Sequence, residues 1–407
     1  MQKTCDVAII GAGPYGLSLA AHLVAAGVNF RIFGKKLSTW RDHMPNGMML
    51  KSDGFASNLS APAKNSTLKA YCVRNGVAYA NRHQPVRLED FVAYADWFQA
   101  RYVPMLEDQN IVSLDKDGAD YHLTLEDGHI CRTKLVVLAV GITWFKHIPE
   151  LLSALAPDIC SHSYDHHDVS GFGGRDVIVL GAGASAIDIA AALHEKGANV
   201  RIIARAPSIA FHDAPDATKE SLLTYIQHPP SGIGPGWHSF IYANAPLLFH
   251  RLPEHLRLRI VKRHLGPAPG WFMRQRIEGQ IPAIMGQTLQ NAARSGRRVT
   301  LGIAGDDGKT QTLAVDHVIA ATGYRPDLAK LPFLNAEMRA QMSSVKGVPV
   351  LSDNFETSLA GLYAVGPAAV DSFGPLMRFM VGAEFAAPRL SAHLARKLST
   401  NAMARAA

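Results

Sequence analysis

The sequence predicts an α/β protein assembled from two strand–turn–helix–strand units, and three observations carry that prediction. The apolar run Cys5–Ile10 stops at Gly11-Ala12-Gly13-Pro14-Tyr15-Gly16. Leu17–Ala26 follows with helical composition, and Gly27 closes it before the strand Asn29–Phe33. A second copy runs through the strand Asp176–Leu180, the turn Gly181-Ala182-Gly183-Ala184-Ser185-Ala186, the helix Ile187–Lys196 and the strand Asn199–Ala204. Late in the chain another all-apolar strand, Leu362–Val365, reaches Gly366. Two such units mean two nucleotide-binding domains, or one domain inserted into another.

Between the units, Ile111–Leu114, Tyr121–Leu125 and His129–Thr133 alternate in the manner of strands and run into the buried strand Leu135–Val140, which ends at Gly141. A matching series, Val299–Ile303, Gln311–Val315 and Val318–Ala321, ends at Thr322-Gly323. The stretch 207–290 is rich in Pro, Gly, His and aromatics, with helical pieces at Glu254–His264 and Gln275–Gln280, and reads as a lid insertion. Phe379–Leu394 reads as a final helix.

Composition narrows the class. The 407 residues are 48% hydrophobic and 18% charged, which excludes disorder and leaves room for two or three domains. A net charge of +7 suits an anionic ligand, but no run of like charges resembles a nucleic-acid arm. Ile9–Val28 is uncharged and of membrane length, yet its spaced glycines and His22 favour strand–turn–helix, so no membrane span is expected. The strand pattern starts within four residues of Met1, which leaves no room for a signal peptide. Cys5, Cys72, Cys131 and Cys160 form no CxxC pair, so neither a zinc knuckle nor a local dithiol centre is expected; the reading is a reduced, cytoplasmic chain.

The first turn has the spacing G-x-G-x-x-G. Gly11 permits the tight turn, Gly13 lets a pyrophosphate approach the backbone, and Gly16 lets helix and strand pack closely. The helix start then offers free N–H groups and a partial positive charge to the phosphates. The acid that usually holds the ribose at the end of the second strand is missing: the sequence there is Arg31-Ile32-Phe33-Gly34-Lys35-Lys36. The second turn is G-x-G-x-x-A, with Gly181, Gly183 and Ala186. Its second strand ends at Arg205, which either pairs with a 2′-phosphate, pointing to NADP, or opens a surface loop; Arg201 is a second candidate.

Together with Ala321-Thr322-Gly323-Tyr324, these turns resemble the flavoproteins with two dinucleotide-binding domains. More narrowly, they resemble the single-component flavin-dependent monooxygenases: flavin-containing monooxygenases, Baeyer–Villiger enzymes and amine N-hydroxylases. Cys160-Ser161-His162-Ser163, with Phe145 and Ile148-Pro149 upstream, is similar to the F-x-G-x-x-x-H-S linker of that group. Its glycine is absent, and His166 stands where an aromatic is usual, which speaks against a Baeyer–Villiger reaction.

The resemblance implies two Rossmann-like domains: an FAD domain (1–168 and 326–407), an NADPH domain inserted in it (169–206 and 291–325), and the lid (207–290). It implies an enzyme that uses NADPH and O2, through a C4a-(hydro)peroxyflavin, to put one oxygen atom into a small organic molecule. A nitrogen heterocycle such as urate, or an amine, is the substrate lead. The alternative is an FAD-containing reductase passing NAD(P)H electrons to a quinone or protein. A homodimer is common in similar proteins, and neither a membrane, a nucleic acid nor a metal is implied. For FAD, the resemblance implicates Pro14 and Tyr15 in the first turn, then Gly34, Lys35, Trp40, Arg41, Ser57 and Gly141. It also implicates Gly366 and Gly374-Pro375-Leu376, where a helix N-terminus would face the flavin. For NADPH it implicates Ala184, Ser185, Thr322, Gly323 and Tyr324.

Asn58 is the candidate to hydrogen-bond the flavin peroxide or the nicotinamide, or else it caps a turn. Lys51 neutralises flavin or substrate charge, or is an ordinary exposed lysine. Trp40 and Phe55 stack on the ring or pack the core. His162, His166 and His167, with Asp165 and Asp168, read as a linker between domains. In the insertion, Trp237, His238, Tyr242, Trp271, Arg274 and Arg276 either recognise a planar or anionic substrate or form a packing face.

Overall fold

The computed structural model describes residues 3–214, 222–264, 266 and 268–406. Strand β1 (Lys3–Ile10), helix α1 (Pro14–Ala25) and strand β2 (Phe30–Phe33) open the chain, followed by α2 (Ser38–Asp42), α3 (Leu68–Asn75) and α4 (Leu88–Tyr102). Strands β3 (Ile111–Asp117), β4 (Asp120–Leu125) and β5 (Ile130–Leu138) then complete the order β2-β1-β5-β4-β3, with β1 parallel to both neighbours. Val7, Ala8 and Ile9 are fully buried because both faces of this sheet are covered. Helix α4 packs against α1, α2 and α3 and buries a stripe at helical spacing, Leu88, Phe91, Tyr94, Ala95 and Phe98.

After α5 (Glu150–Ser153), the second sheet is built from β6 (Cys160–His162), β7 (Asp176–Leu180) and, beyond helix α6 (Ala184–Glu195), β8 (Asn199–Ile203). Helices α7 (Leu222–Gln227), α8 (Trp237–Asn244), α9 (Pro246–His250), α10 (Glu254–Arg263) and α11 (Arg274–Ile277) precede β9 (Ala283–Ile284), β10 (Gln287–Ser295), β11 (Arg298–Gly305), β12 (Thr310–Val315) and β13 (His317–Ala320). Strands β6-β13-β7-β8-β9 form one all-parallel sheet, and β10–β12 an antiparallel one. Along β7, Val177 and Val179 face the α6 core, while Ile178 and Leu180 face the β11–β12 core. The chain ends through α12 (Ala336–Gln341), the hairpin β14 (Ser344–Val345) and β15 (Val348–Pro349), β16 (Leu362–Ala364), α13 (Val370–Phe373) and α14 (Ala383–Ala406). Strand β16 returns to the first sheet, parallel to β5, and α14 packs on α1.

Several expectations are corrected. His129–Thr133 and Leu135–Val140 are one strand, β5, whose first half pairs with β4 and whose second half pairs with β16. The second sheet draws in β6, expected in the first unit, and β9, expected in the insertion. Strand β10 was not expected at all. The final helix begins at Ala383 rather than 379, because 366–382 is a succession of short helical turns. The insertion is not one lid either. Helices α8–α10 pack on the C-terminal return, where His250 stacks on Phe373 at 4.8 Å and Arg257 donates to the Asp371 carbonyl at 3.1 Å. Met273, Ile277 and Ile281 instead join the core under α6, where Arg276 pairs with Glu195 at 2.7 Å.

Candidate functional site

Each glycine turn passes directly into a helix whose N-terminus has no side-chain cap. Gly13 and Gly183 are the N-cap residues of α1 and α6, and neither helix has an acid in its first turn. The first N–H groups of both helices are therefore left for an outside acceptor, with the helix dipole favouring an anion. The three glycines of the first turn do different work. Gly11 has φ +116°, and a side chain there or at Gly16 would strike the Ala139 or the Gly11 carbonyl oxygen. At Gly13 an added Cβ would meet nothing within 4 Å, so nothing inside the fold requires glycine there. A pyrophosphate lying on the backbone would require it, and on this ground the turn fits a dinucleotide. Gly181 repeats the role of Gly11, with φ +133° and a Cβ position 2.5 Å from the Ala321 oxygen.

Other candidate residues serve the frame of the cradle. Tyr15 is buried, and its hydroxyl donates to the Phe379 carbonyl at 2.8 Å; burial pushes its pKa well up. Gly34 has φ +133°, and a Cβ there would lie 3.2 Å from the Ala12 backbone nitrogen. Lys35 is exposed, while Arg41 and Lys36 share Asp96 at 2.7 and 2.8 Å. Trp40 lies 5.7 Å from the Phe91 ring and packs on the core. Ser57 is buried within its own turn, its hydroxyl 2.8 Å from that of Ser52. Gly141 (φ +58°), Gly366 (φ +71°) and Gly374 (φ +87°) are left-handed turn positions, and Pro375 and Leu376 are buried in the turn that follows. Those turns are too short to present the helix N-terminus expected there.

Asn58 holds its own loop. Its Nδ2 donates to the Phe55 carbonyl at 2.8 Å, and its Oδ1 accepts from the Leu68 N–H at 2.9 Å. Lys51 reaches across to the second unit, 3.1 Å from Asp188 on α6. Asp188 is buried; desolvation raises its pKa, and Lys51 pulls the other way.

Beside the start of α6 lies a cavity of about 20 Å³ lined by His43, Met44, Pro45, Met48, Ser163, Ser185, Asp188 and Tyr324. Ser163 Oγ and Asp188 Oδ1 line it without a hydrogen-bond partner. The histidines build its linker wall. His43 stacks on Tyr164 at 3.9 Å and donates to its carbonyl, and His167 donates to the Met44 carbonyl at 2.5 Å. His162 is fully buried, accepting from the Tyr164 N–H and donating to the Gly323 carbonyl, both at 3.1 Å; burial pulls its pKa down to about 4. Thr322 donates to the His147 carbonyl, and Tyr324 meets His162 edge-to-face at 5.3 Å. His166 and His317 both address Ser161 Oγ, at 2.6 and 2.7 Å. Among the described residues no group of three or more His, Cys, Asp or Glu side chains is placed to hold a metal ion. Ala184 and Ala186 are buried in the first turn of α6, and Arg205 stands exposed two residues beyond β8. Sequence reasoning missed Asp188 and Ser163; a carboxylate amid the apolar residues of a predicted helix was the available signal.

A family model described as pyridine nucleotide-disulphide oxidoreductase matches residues 8–229. The chain belongs to that family. It is 21% identical to a ferredoxin–NADP reductase of Ignicoccus hospitalis over 89% of both chains. It is 24% identical to an indole-3-pyruvate monooxygenase of Oryza sativa subsp. japonica over 48% of this chain and 47% of that one. Among solved structures, it resembles an ornithine N-hydroxylase of Kutzneria sp. 744 (TM-score 0.78, 16% identity, 97% and 99% of the two chains). It also resembles a bacillithiol disulfide reductase of Staphylococcus aureus (TM-score 0.65, 15% identity, 97% and 99%). The member of the family described here is thus an oxidoreductase with the fold of the flavin-dependent monooxygenases. None of its described helices is long and apolar enough to cross a membrane.

Proposed function

We propose that the protein is an FAD- and NADPH-dependent monooxygenase that inserts one oxygen atom of O2 into a small organic substrate, an amine or a nitrogen heterocycle such as urate. The observation that carries this reading is the pair of uncapped helix N-termini, each behind a glycine turn that follows a parallel strand of its own sheet. On this reading the FAD unit is the first sheet with its C-terminal return, and the NADPH unit is inserted within it. The α1 turn would hold the FAD pyrophosphate, the α6 turn that of NADPH, and Arg205 the 2′-phosphate. Bound FAD would accept electrons from NADPH and deliver the oxygen atom. The chain's own part is to orient the two cofactors and keep water out; Met44, Pro45, Met48 and Tyr324 wall the cavity, and Ser163 and Asp188 offer it hydrogen bonds.

The test is to supply NADPH and isotopically labelled O2 to the FAD-loaded protein with a panel of amines, purines and sulfides. One labelled oxygen in a product, with substrate-dependent NADPH consumption, is the expected result. NADPH oxidation with no labelled product from any candidate sinks the proposal. Similarity to the ferredoxin–NADP reductase favours the second reading, an FAD-containing NAD(P)H reductase, which the same protein would reveal by reducing a quinone or ferredoxin instead. Disulfide reduction is disfavoured, because none of Cys5, Cys72, Cys131 and Cys160 lines the cavity.

A further inference from the structure

Two cysteines that stand 126 positions apart in sequence meet in the first sheet, with their sulfur atoms 3.6 Å apart. Cys5 lies opposite Thr133 and Cys131 opposite Lys3, so the two thiols are diagonal neighbours on one face of the β1–β5 ladder. Cys5 is 6% exposed and Cys131 fully buried. Either thiol can donate to the other, and the positive charge of Arg31, whose guanidinium is held by Glu107 at 2.5 Å, favours a thiolate at Cys131. The neighbouring thiol and the Arg31 charge pull the Cys131 pKa down in spite of burial, whereas burial pushes Cys160 up to about 11 and raises Cys72. One thiolate is thus stabilised beside one thiol. This is the arrangement in which oxidation of the first is followed by capture by the second.

We propose that Cys5 and Cys131 form a peroxide-sensitive dithiol site, in which hydrogen peroxide converts the pair into an intramolecular disulfide. The Cys131 thiolate attacks one peroxide oxygen; the O–O bond breaks, leaving a sulfenic acid and a hydroxide. The Cys5 sulfur then attacks the Cys131 sulfur; the S–O bond breaks, the S–S bond forms, and the Cys5 proton leaves with the second hydroxide. The two thiols lose two electrons, and one peroxide becomes two waters. The sulfurs must close from 3.6 Å to about 2.05 Å, at the starts of β1 and β5 and away from the Gly11 turn. With Cys131 fully buried and Cys5 6% exposed, a small oxidant such as peroxide is expected to react with the pair and oxidised glutathione is not. The site stands independently of the proposed oxygenase activity.

The experiment treats the reduced full-length protein with hydrogen peroxide, counts thiols after denaturation, and maps non-reduced peptides by mass spectrometry. The thiol count is expected to fall from four to two, with a Cys5–Cys131 peptide pair lighter than its reduced parts by two hydrogens. Oxidised glutathione is expected to leave four. In Cys5→Ser the Cys131 sulfenic acid should persist and be trapped by dimedone added together with the denaturant. Four thiols surviving peroxide, a bridge to Cys72 or Cys160, or a glutathione adduct on either cysteine would overturn the proposal, and the wild-type measurements need no variant to decide it.

Discussion

Gly13→Ala tests the first turn at small structural cost. Gly13 has φ −84° and ψ −173°, a conformation alanine adopts freely, and the added methyl would meet no protein atom within 4 Å. Exchanging Gly for Ala at a helix N-cap costs about 1 kcal/mol, so the apoprotein should lose only a few degrees of Tm. The methyl instead occupies the space a pyrophosphate needs. Displacing a phosphate from one charge-assisted hydrogen bond costs about 1.5–3 kcal/mol, which weakens binding by roughly 10- to 150-fold. The assay is a fluorescence titration of apoprotein with FAD, run beside a thermal melt. Gly16→Ala is the contrast: its methyl strikes the Gly11 carbonyl, and the variant should fail to fold. Unchanged FAD affinity in a folded Gly13→Ala protein would refute the assignment of the pyrophosphate to this turn.

His162 and His317 are buried and held neutral, with pKa values near 4 against 6.5 in the unfolded chain. Below pH 6.5 the unfolded chain takes up protons that the folded chain refuses, so stability is full above pH 6.5 and falls toward pH 4, by on the order of 3 kcal/mol per histidine. Melts between pH 6.5 and 5 should show this fall, and His317→Asn should flatten it; a level Tm contradicts the burial argument. Lys51→Met strands the buried Asp188 carboxylate and should cost about 2–3 kcal/mol in urea unfolding, most of it recovered in the Lys51→Met/Asp188→Asn double variant. Arg205→Ala should leave Tm within a degree or two yet lower the NADPH-over-NADH preference by roughly 10- to 100-fold, as read by kcat/KM with each nucleotide. Asn58→Ala loses two backbone contacts and should lower stability by about 1–2 kcal/mol; a fall in kcat at unchanged Tm would show that Asn58 acts on the cofactor instead.

The two turns were legible in the sequence because a tight glycine turn into a helix start is a local requirement, written in consecutive residues. What was hidden depends on contacts between distant segments. Strand β10, Gln287–Ser295, exposes most of its side chains and carries no apolar alternation to announce it. The insertion reads as one body because its composition is uniform, yet its ends join the core under α6 while its middle helices pack on the C-terminal return. Lys51 gave no sign of pairing with Asp188, nor Cys5 with Cys131, because each pair is assembled by topology rather than by spacing.

The hydroxyl of Tyr15 on the Phe379 carbonyl, and β16 beside β5, carry a consequence for biosynthesis. The second sheet uses strands lying between residues 160 and 320, so all of its strands emerge from the ribosome while the first sheet still lacks β16. The interior unit can therefore settle first, reversing the usual N-terminal-first order of folding. The opening helix waits, its Tyr15 unpaired, until a segment 364 positions downstream has been made. Late long-range closures of this kind are slow, so the glycine turn at the front of the chain is among the last parts of the molecule to become rigid.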